Sequence, residues 1–251
     1  MDLMLSEREK RLLDILSEDA GPSITAISEQ LGVSAATIRN DLNALTEKGM
    51  IIRIRGKSIP AFHPDILVRQ KQNIEAKKRI ARSAAGMIQN GDTVFIDSGT
   101  TVALVPRYLL GKRDVHLVTY STMVLPYARI NPGIRLTIVG GEFRPAIDCL
   151  VGKFALEGFS NFHVRFAFIG TTGFSIAEGI TNMLLESAEV IRKMCDYAER
   201  IILLADSSKY DKLGFAKVFP LSRVSEIITD KEMPQQALET LRNQGFKLTV
   251  V

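Results

Sequence analysis

Apolar residues over the first sixty positions recur at intervals of three and four, whereas beyond residue 90 they gather into short, nearly continuous runs. The first spacing belongs to helices that bury one stripe, the second to strands covered on both faces. Leu12, Leu13, Ile15 and Leu16 stand among charges over residues 6–18, which predicts an amphipathic helix. Ser23 can cap a second helix that turns Ile24, Ile27 and Leu31 inward. Gly32 then supplies a turn tolerant of positive φ, and Ser34 can cap a third helix. Ile38, Leu42 and Leu45 form the buried stripe of that helix, and Gly49 ends it. In the next stretch Ile52 and Ile54 alternate with Arg53, Arg55 and Lys57, so a strand would put the isoleucines inward and the cations outward. Gly56 turns that strand back into a hairpin. A short capped helix behind a glycine turn, followed by a hairpin, predicts a winged helix-turn-helix over residues 1–60.

Pro60 to Pro64 punctuates the chain, and residues 61–75 read as a linker. The basic run over 69–82 carries Ile74, Ile80, Ala81 and Ala84 at helical spacing; a solvated helix face accounts for its charge. Seven strand-like runs follow: Thr93–Asp97, His116–Tyr120, Arg135–Val139, Arg165–Gly170, Arg200–Asp206, Glu226–Thr229 and Lys247–Val251. The stretches between them suit helices, notably Thr101–Leu110, Ser121–Asn131, Leu185–Tyr197 and Pro234–Asn243. Residues 76–251 are therefore expected to form a larger α/β domain with a mainly parallel sheet.

Composition narrows the function. No apolar run approaches the length of a membrane span, and the charged opening Ser6-Glu7-Arg8-Glu9-Lys10-Arg11 is unlike a signal peptide. A cytoplasmic protein with no membrane partner is expected. Cys149 and Cys195 lie far apart, and His63, His116 and His163 are scattered, so buried free thiols are expected and neither a metal nor a cofactor is called for. The net charge of +4 favours anionic partners only weakly, and its distribution says more. Acids outnumber bases before residue 31, and bases outnumber acids from 31 to 57. Any footprint on DNA is therefore local, on the third helix and the hairpin. Ser34, Ala35, Thr37, Arg39, Asn40 and Asn43 are the candidates for bases and nearby phosphates; Arg53, Arg55 and Lys57 are those for the backbone.

A second set of candidates lies where the later runs break into small and polar residues. Asp97-Ser98-Gly99-Thr100-Thr101, Tyr120, Gly140-Gly141-Glu142, Thr171-Thr172, Glu186 and Lys209 would converge if they share one edge of a parallel sheet. Backbone N–H groups and hydroxyls at Gly99–Thr101, opening a helix, suit a phosphate, and Lys209 adds a cation. Asp97, Glu142 and Glu186 suit sugar hydroxyls. A phosphorylated sugar fits this chemistry, with Arg144, Tyr120 and Phe174 as candidates for specificity. The carboxylates would also suit a sugar-phosphate isomerase fused to a DNA-binding module, with Asp97 or Glu142 as base. Recognition needs the same groups, however, and an enzyme would leave the winged helix idle, so turnover is not expected.

The order and spacing of these motifs resemble the DeoR family of bacterial transcriptional regulators across essentially the whole chain. Ser6-Glu7-Arg8, Leu31-Gly32-Val33-Ser34, Thr37-Ile38-Arg39, Asp41-Leu42 and Glu75…Lys78-Arg79-Ile80-Ala81 carry the match early on. Gly91-Asp92, Asp97-Ser98-Gly99-Thr100-Thr101, Gly140-Gly141-Glu142, Glu186-Ser187-Ala188-Glu189-Val190 and Asp206-Ser207-Ser208-Lys209 carry it later. The resemblance implies a sensor domain similar in fold to sugar-phosphate isomerases that does not catalyse. It also implies a repressor of a carbohydrate-use operon, released by a phosphorylated intermediate and assembled as a homodimer or homotetramer. Two positions depart from the family pattern. Asn40 stands where a second arginine is usual, and Arg55-Gly56-Lys57-Ser58 replaces His-Gly-Gly-Ala in the wing. Asparagine pairs with adenine where arginine favours guanine or phosphate, so the operator is expected to differ or to lose one contact.

Overall fold

A computed structural model describes residues 5–18, 22–47, 50–54, 57–60 and 63–251. The chain divides into two compact units, residues 1–72 and 73–251.

The first unit holds α1 (Glu7–Glu18), α2 (Ile24–Leu31), α3 (Ala35–Glu47), the strands β1 (Ile51–Ile54) and β2 (Lys57–Pro60), and α4 (Pro64–Lys71). Its core is the predicted set of stripes: Leu12, Leu13 and Leu16 from α1, Ile27 from α2, and Ile38, Leu42 and Leu45 from α3. Burying one such side chain stabilises by about 1.5–3 kcal/mol, which is why three short helices hold together. β1 and β2 form the antiparallel hairpin, with Ile54 opposite Lys57. Ile51 is buried against the helices; the side chains of Ile52 and Ile54 lie outside what is described. Residues 61–75, read above as a linker, contain α4, whose Leu67 joins the helical core.

The second unit opens with α5 (Ile74–Gly86), β3 (Thr93–Ile96) and β4 (Val115–Thr119). It continues through α6 (Leu125–Ala128), β5 (Ile134–Ile138), β6 (Glu142–Arg144), β7 (Cys149–Val151), α7 (Lys153–Phe159) and β8 (Val164–Ile169). β9 (Gly173–Ser175), β10 (Gly179–Asn182), α8 (Leu185–Cys195), β11 (Ala198–Leu204) and β12 (Ala216–Phe219) follow. β13 (Glu226–Thr229), α9 (Gln235–Asn243) and β14 (Leu248–Val250) complete it. All seven predicted runs enter one parallel sheet in the order β14-β13-β11-β8-β3-β4-β5. Alternate residues feed two cores: Val94, Ile96, Phe166, Phe168, Ile202 and Leu204 face one side, Phe95, Ala167, Ile169, Ile201 and Leu203 the other. Burial on both faces explains why these strands read as continuous apolar runs.

Two of the expected helices come out differently. Thr101–Leu110 contains a 3-10 helix, Val102–Tyr108, because Pro106 lacks an N–H and the valines are β-branched. Ser121–Asn131 is broken into a 3-10 turn at Thr122–Val124 and the short α6. Outside the main sheet lie the β6–β7 pair and a three-stranded antiparallel sheet, β12-β10-β9, neither of which the apolar pattern announced.

Candidate functional site

Local chemistry sets the presentation of α3. The Ser23 side chain accepts from the N–H of Ala26 (3.1 Å) at the start of α2, and Gly32 ends that helix at φ 66°. An L side chain there would be strained, so the glycine makes the sharp turn affordable. Ser34 Oγ then accepts from the Thr37 N–H (3.1 Å) and pairs with the Thr37 hydroxyl (2.9 Å). Thr37 thereby takes part in the cap, with its hydroxyl held beside that of Ser34. Ala35 is half-buried beside it.

With Ile38, Leu42 and Leu45 inward, Ala36, Arg39, Asn40 and Asn43 make one exposed stripe at spacings of three and four. Arg8 on α1 clamps Asp41 bidentately, Nε to Oδ2 at 2.6 Å and Nη2 to Oδ1 at 3.1 Å, so the family-like acid braces the helix instead of facing a ligand. Of the wing cations, Arg55 lies outside the described residues, as do the side chains of Arg53 and Lys57.

In the second unit the strand order reverses at β3. The chain leaves β3 for β4 and β5 on one side, then returns with β8 and continues to β11, β13 and β14 on the other. The crevice beyond the carboxyl ends of β3 and β8 is where open parallel sheets take ligands. Asp97 sits there, fully buried. Its Oδ2 accepts from the Gly170 N–H (2.8 Å) across that reversal, and its Oδ1 accepts from the Ser98 N–H (2.6 Å) and the Tyr120 hydroxyl. Burial pushes the Asp97 carboxyl up to about 7, against the pull of those three donors. Gly170 lets β8 end against the Ser98 turn: a Cβ there would lie 3.5 Å from the Ser98 carbonyl and 3.3 Å from Val102.

Tyr120 is also fully buried, and its hydroxyl meets Ser98 Oγ (3.1 Å) and Ser187 Oγ (3.3 Å). Asp97 and Tyr120 were expected at the ligand; with no exposed surface they form the floor that positions the turn Ser98-Gly99-Thr100 above them. Thr101 is nearly buried as well. The dipole argument made for this turn weakens, because the helix it opens is a short 3-10 segment.

Other candidates are tied down. Thr171 Oγ1 donates to the carbonyls of Gly173 (2.7 Å) and Thr181 (2.8 Å), and the Thr172 N–H meets the Thr181 carbonyl (3.1 Å). Both anchor the β9–β10 hairpin. Gly141, at φ 155°, is a tight bend where a Cβ would fall 2.5 Å from the Val151 carbonyl; Gly140 beside it is exposed.

Glu142 and Glu186 do come together, through Arg144, whose Nη1 lies 3.2 Å from Glu142 and Nη2 3.7 Å from Glu186. Lys209 ends the turn Ser207–Lys209, which Asp206 caps by accepting from the Ser208 N–H (3.2 Å) and Oγ (2.5 Å). The same Asp206 oxygen takes the Asn73 side-chain N–H (2.9 Å), so the residue opening α5 is bonded to the Lys209 turn. Asn73, Ser187 and Asn182, whose side-chain N–H reaches the Ser187 hydroxyl (3.4 Å), were missed from sequence. Only Ser187, inside the Glu186-Ser187-Ala188 motif, carried a signal.

The candidate residues thus span the ends of five adjacent strands, β5-β4-β3-β8-β11, roughly 19 Å at 4.8 Å per strand. Cys149 and Cys195 are buried free thiols. Among the described residues no three His, Cys, Asp or Glu side chains converge on a metal site, and no helix is long and apolar enough to cross a membrane.

A family model for a DeoR-like helix-turn-helix domain matches residues 8–59, and one for a DeoR C-terminal sensor domain matches residues 72–231. The chain is 34% identical over 249 residues to the HTH-type transcriptional repressor GlcR of Bacillus subtilis strain 168, covering 97% of this chain and 95% of that protein. It is 26% identical over 250 residues to the glycerol-3-phosphate regulon repressor of Escherichia coli K12, covering 97% and 98%. Ribose 5-phosphate isomerase A of Methanocaldococcus jannaschii shares 16% identity over 55% of each chain, with a TM-score of 0.39.

Proposed function

The chain belongs to the DeoR family of transcriptional regulators, and from that premise we propose that it represses a carbohydrate-use operon and lets go when a phosphorylated sugar fills the strand-end crevice. The observation that carries this reading is the α3 stripe. Arg39 and Asn40 are exposed on a capped helix set by the Gly32 turn, and neither makes an ion pair or side-chain hydrogen bond among the described residues. An arginine and an asparagine so presented can pair bidentately with guanine and adenine edges. The wing cations Arg53, Arg55 and Lys57 would hold phosphates and set the salt dependence of binding. A homodimer or homotetramer in the cytoplasm would present paired helices about 34–36 Å apart, or at multiples of that spacing, to a two-fold operator.

For the effector, the glycerol-3-phosphate regulon repressor named above supports a phosphorylated small molecule. Ser98, Gly99 and Thr100 would meet its phosphate, with Lys209 as cation, while Glu142, Glu186 and Arg144 would meet hydroxyls. Asp97 and Tyr120 would act beneath them as positioning residues. The burial of Asp97, with both oxygens already bonded, also speaks against its use as the base of an isomerase. An effector shifts the equilibrium only by its difference in affinity for the two states.

The test is retardation of promoter DNA from beside the protein's own gene at low ionic strength, titrated with paired phosphorylated and unphosphorylated sugars. Binding that at least one phosphorylated sugar relieves, and its unphosphorylated partner does not, is expected. DNA binding indifferent to every phosphate ester would overturn the sensing role, and no binding would overturn the whole reading.

A further inference from the structure

Four of the nine large apolar side chains exposed among the described residues belong to two short stretches, 183–185 and 213–215. The backbone brings these stretches together. The β10–β12 register ends with Asn182 opposite Ala216, and Met183 and Phe215 continue the two chains one residue past that pair. Gly214 lies against β10: its N–H donates to Thr181 Oγ1 (2.7 Å), and a Cβ there would fall 2.5 Å from the Asn182 carbonyl. Leu213 and Phe215 flank this close approach, while Leu185 follows Met183 as the first residue of α8. Phe215 is 87% exposed, Leu213 62%, and Met183 and Leu185 51% each. Single exposed apolar residues need no explanation, but a contiguous group of this kind marks an interaction surface.

The charges around the group say what kind of partner it fits. The Glu178 carboxylate is paired with Lys217 (2.6 Å), and Glu186 is shared with Arg144 (3.7 Å). Beyond these pairs stand Glu189, one turn along α8 from Leu185, and Asp211 and Lys212, just ahead of Leu213. None of the three makes an ion pair among the described residues. Arg192, a further turn along α8, gives its Nη1–H to the Lys217 carbonyl (2.7 Å) and meets no carboxylate there. Two acids and two bases thus border the apolar centre, so the rim favours neither a nucleic acid nor a strongly acidic or basic protein.

We propose that this corner is the surface on which two copies of the chain meet, related by a two-fold axis. An interface of that symmetry sets one patch against itself, which demands an apolar centre and a rim carrying both signs of charge. Glu189 and Asp211 of one copy then have Lys212 and Arg192 of the other as counter-charges. The apolar centre supplies on the order of half of the roughly 800 Å² that each partner gives to a stable complex, and the rim supplies the rest. Leu185 directly precedes Glu186, so the partner would border the strand-end crevice. The proposal rests on the two-copy assembly read above and names the surface that makes it.

Analytical ultracentrifugation of the full chain without DNA, over a range of protein concentrations, tests it. Self-association is expected for the wild type, at least about tenfold weaker in Phe215→Glu and in Leu213→Glu. Both side chains are exposed, and circular dichroism checks that each variant is folded. Leu110→Glu, at an exposed apolar residue on the approach to β4, should associate like the wild type. A wild type that stays monomeric would overturn the two-copy reading and leave the patch to a different partner. A wild type that associates while both patch variants match it, or that is dissociated by Leu110→Glu alone, would overturn this surface and keep the assembly.

Discussion

Asp97 is held between opposed influences, and the balance makes its carboxyl a titrating group at neutral pH. Unfolded it would ionise near 3.8; folded, burial raises that to about 7. Between these values the native state keeps a proton that the unfolded state has released, so stability falls as pH rises through the window. The contribution is complete below the lower value and gone above the upper one, roughly 1.4 kcal/mol for each pH unit crossed. Urea denaturation at pH 5 and pH 7.5 should therefore show a larger loss for the wild type than for Asp97→Asn; parallel losses would mean the carboxyl does not titrate there. At the other end of the chain, Arg39→Ala should cost about 1–3 kcal/mol on the operator and relax its base preference, as competition against scrambled DNA would report. Asn40→Arg should move preference towards guanine at one position. Of these residues, Arg39 and Asn40 were legible from helical spacing alone. The role of Asp97 was not, because its burial depends on β8, a neighbour brought by topology and not by spacing along the chain.

Helices and strands repeat the lesson. The seven sheet strands were readable because burial on both faces leaves no polar alternation to confuse them, and the stripes of α1 to α3 were readable because one face is wet. Val102–Tyr108 misled because Val102 to Pro106 are all buried, which removes the amphipathic signal that separates helix types. β6, β7, β9, β10 and β12 went unseen because they are three or four residues long and most carry glycine or polar residues, such as Glu142, Arg144, Gly173, Ser175, Gly179, Asn182 and Lys217, in place of a continuous apolar run. Their turns make sharp demands. Gly141→Ala would push a Cβ to within 2.5 Å of the Val151 carbonyl and should loosen the β6–β7 pair, which protease sensitivity near Arg144 would reveal. Gly32→Ala meets open space but holds φ at 66°, so it should cost only about 1 kcal/mol, seen as a small fall in melting temperature.

At the scale of the molecule, two compact units with separate cores imply two energetic responses. Calorimetric melting should resolve two transitions, with operator DNA raising that of residues 1–72 and a phosphorylated sugar raising that of residues 73–251. One transition moved equally by both would contradict this. The strand order adds a consequence for synthesis. β3 finds β4 early, but its other flank stays bare until β8, at Val164–Ile169, has left the ribosome. A product cut short by a stop codon ahead of that point carries a complete reading head and an unpaired apolar edge, the kind of surface that clumps. Nonsense alleles over that span should therefore behave as simple nulls, with the operon switched on, and not as deaf super-repressors locked to their target.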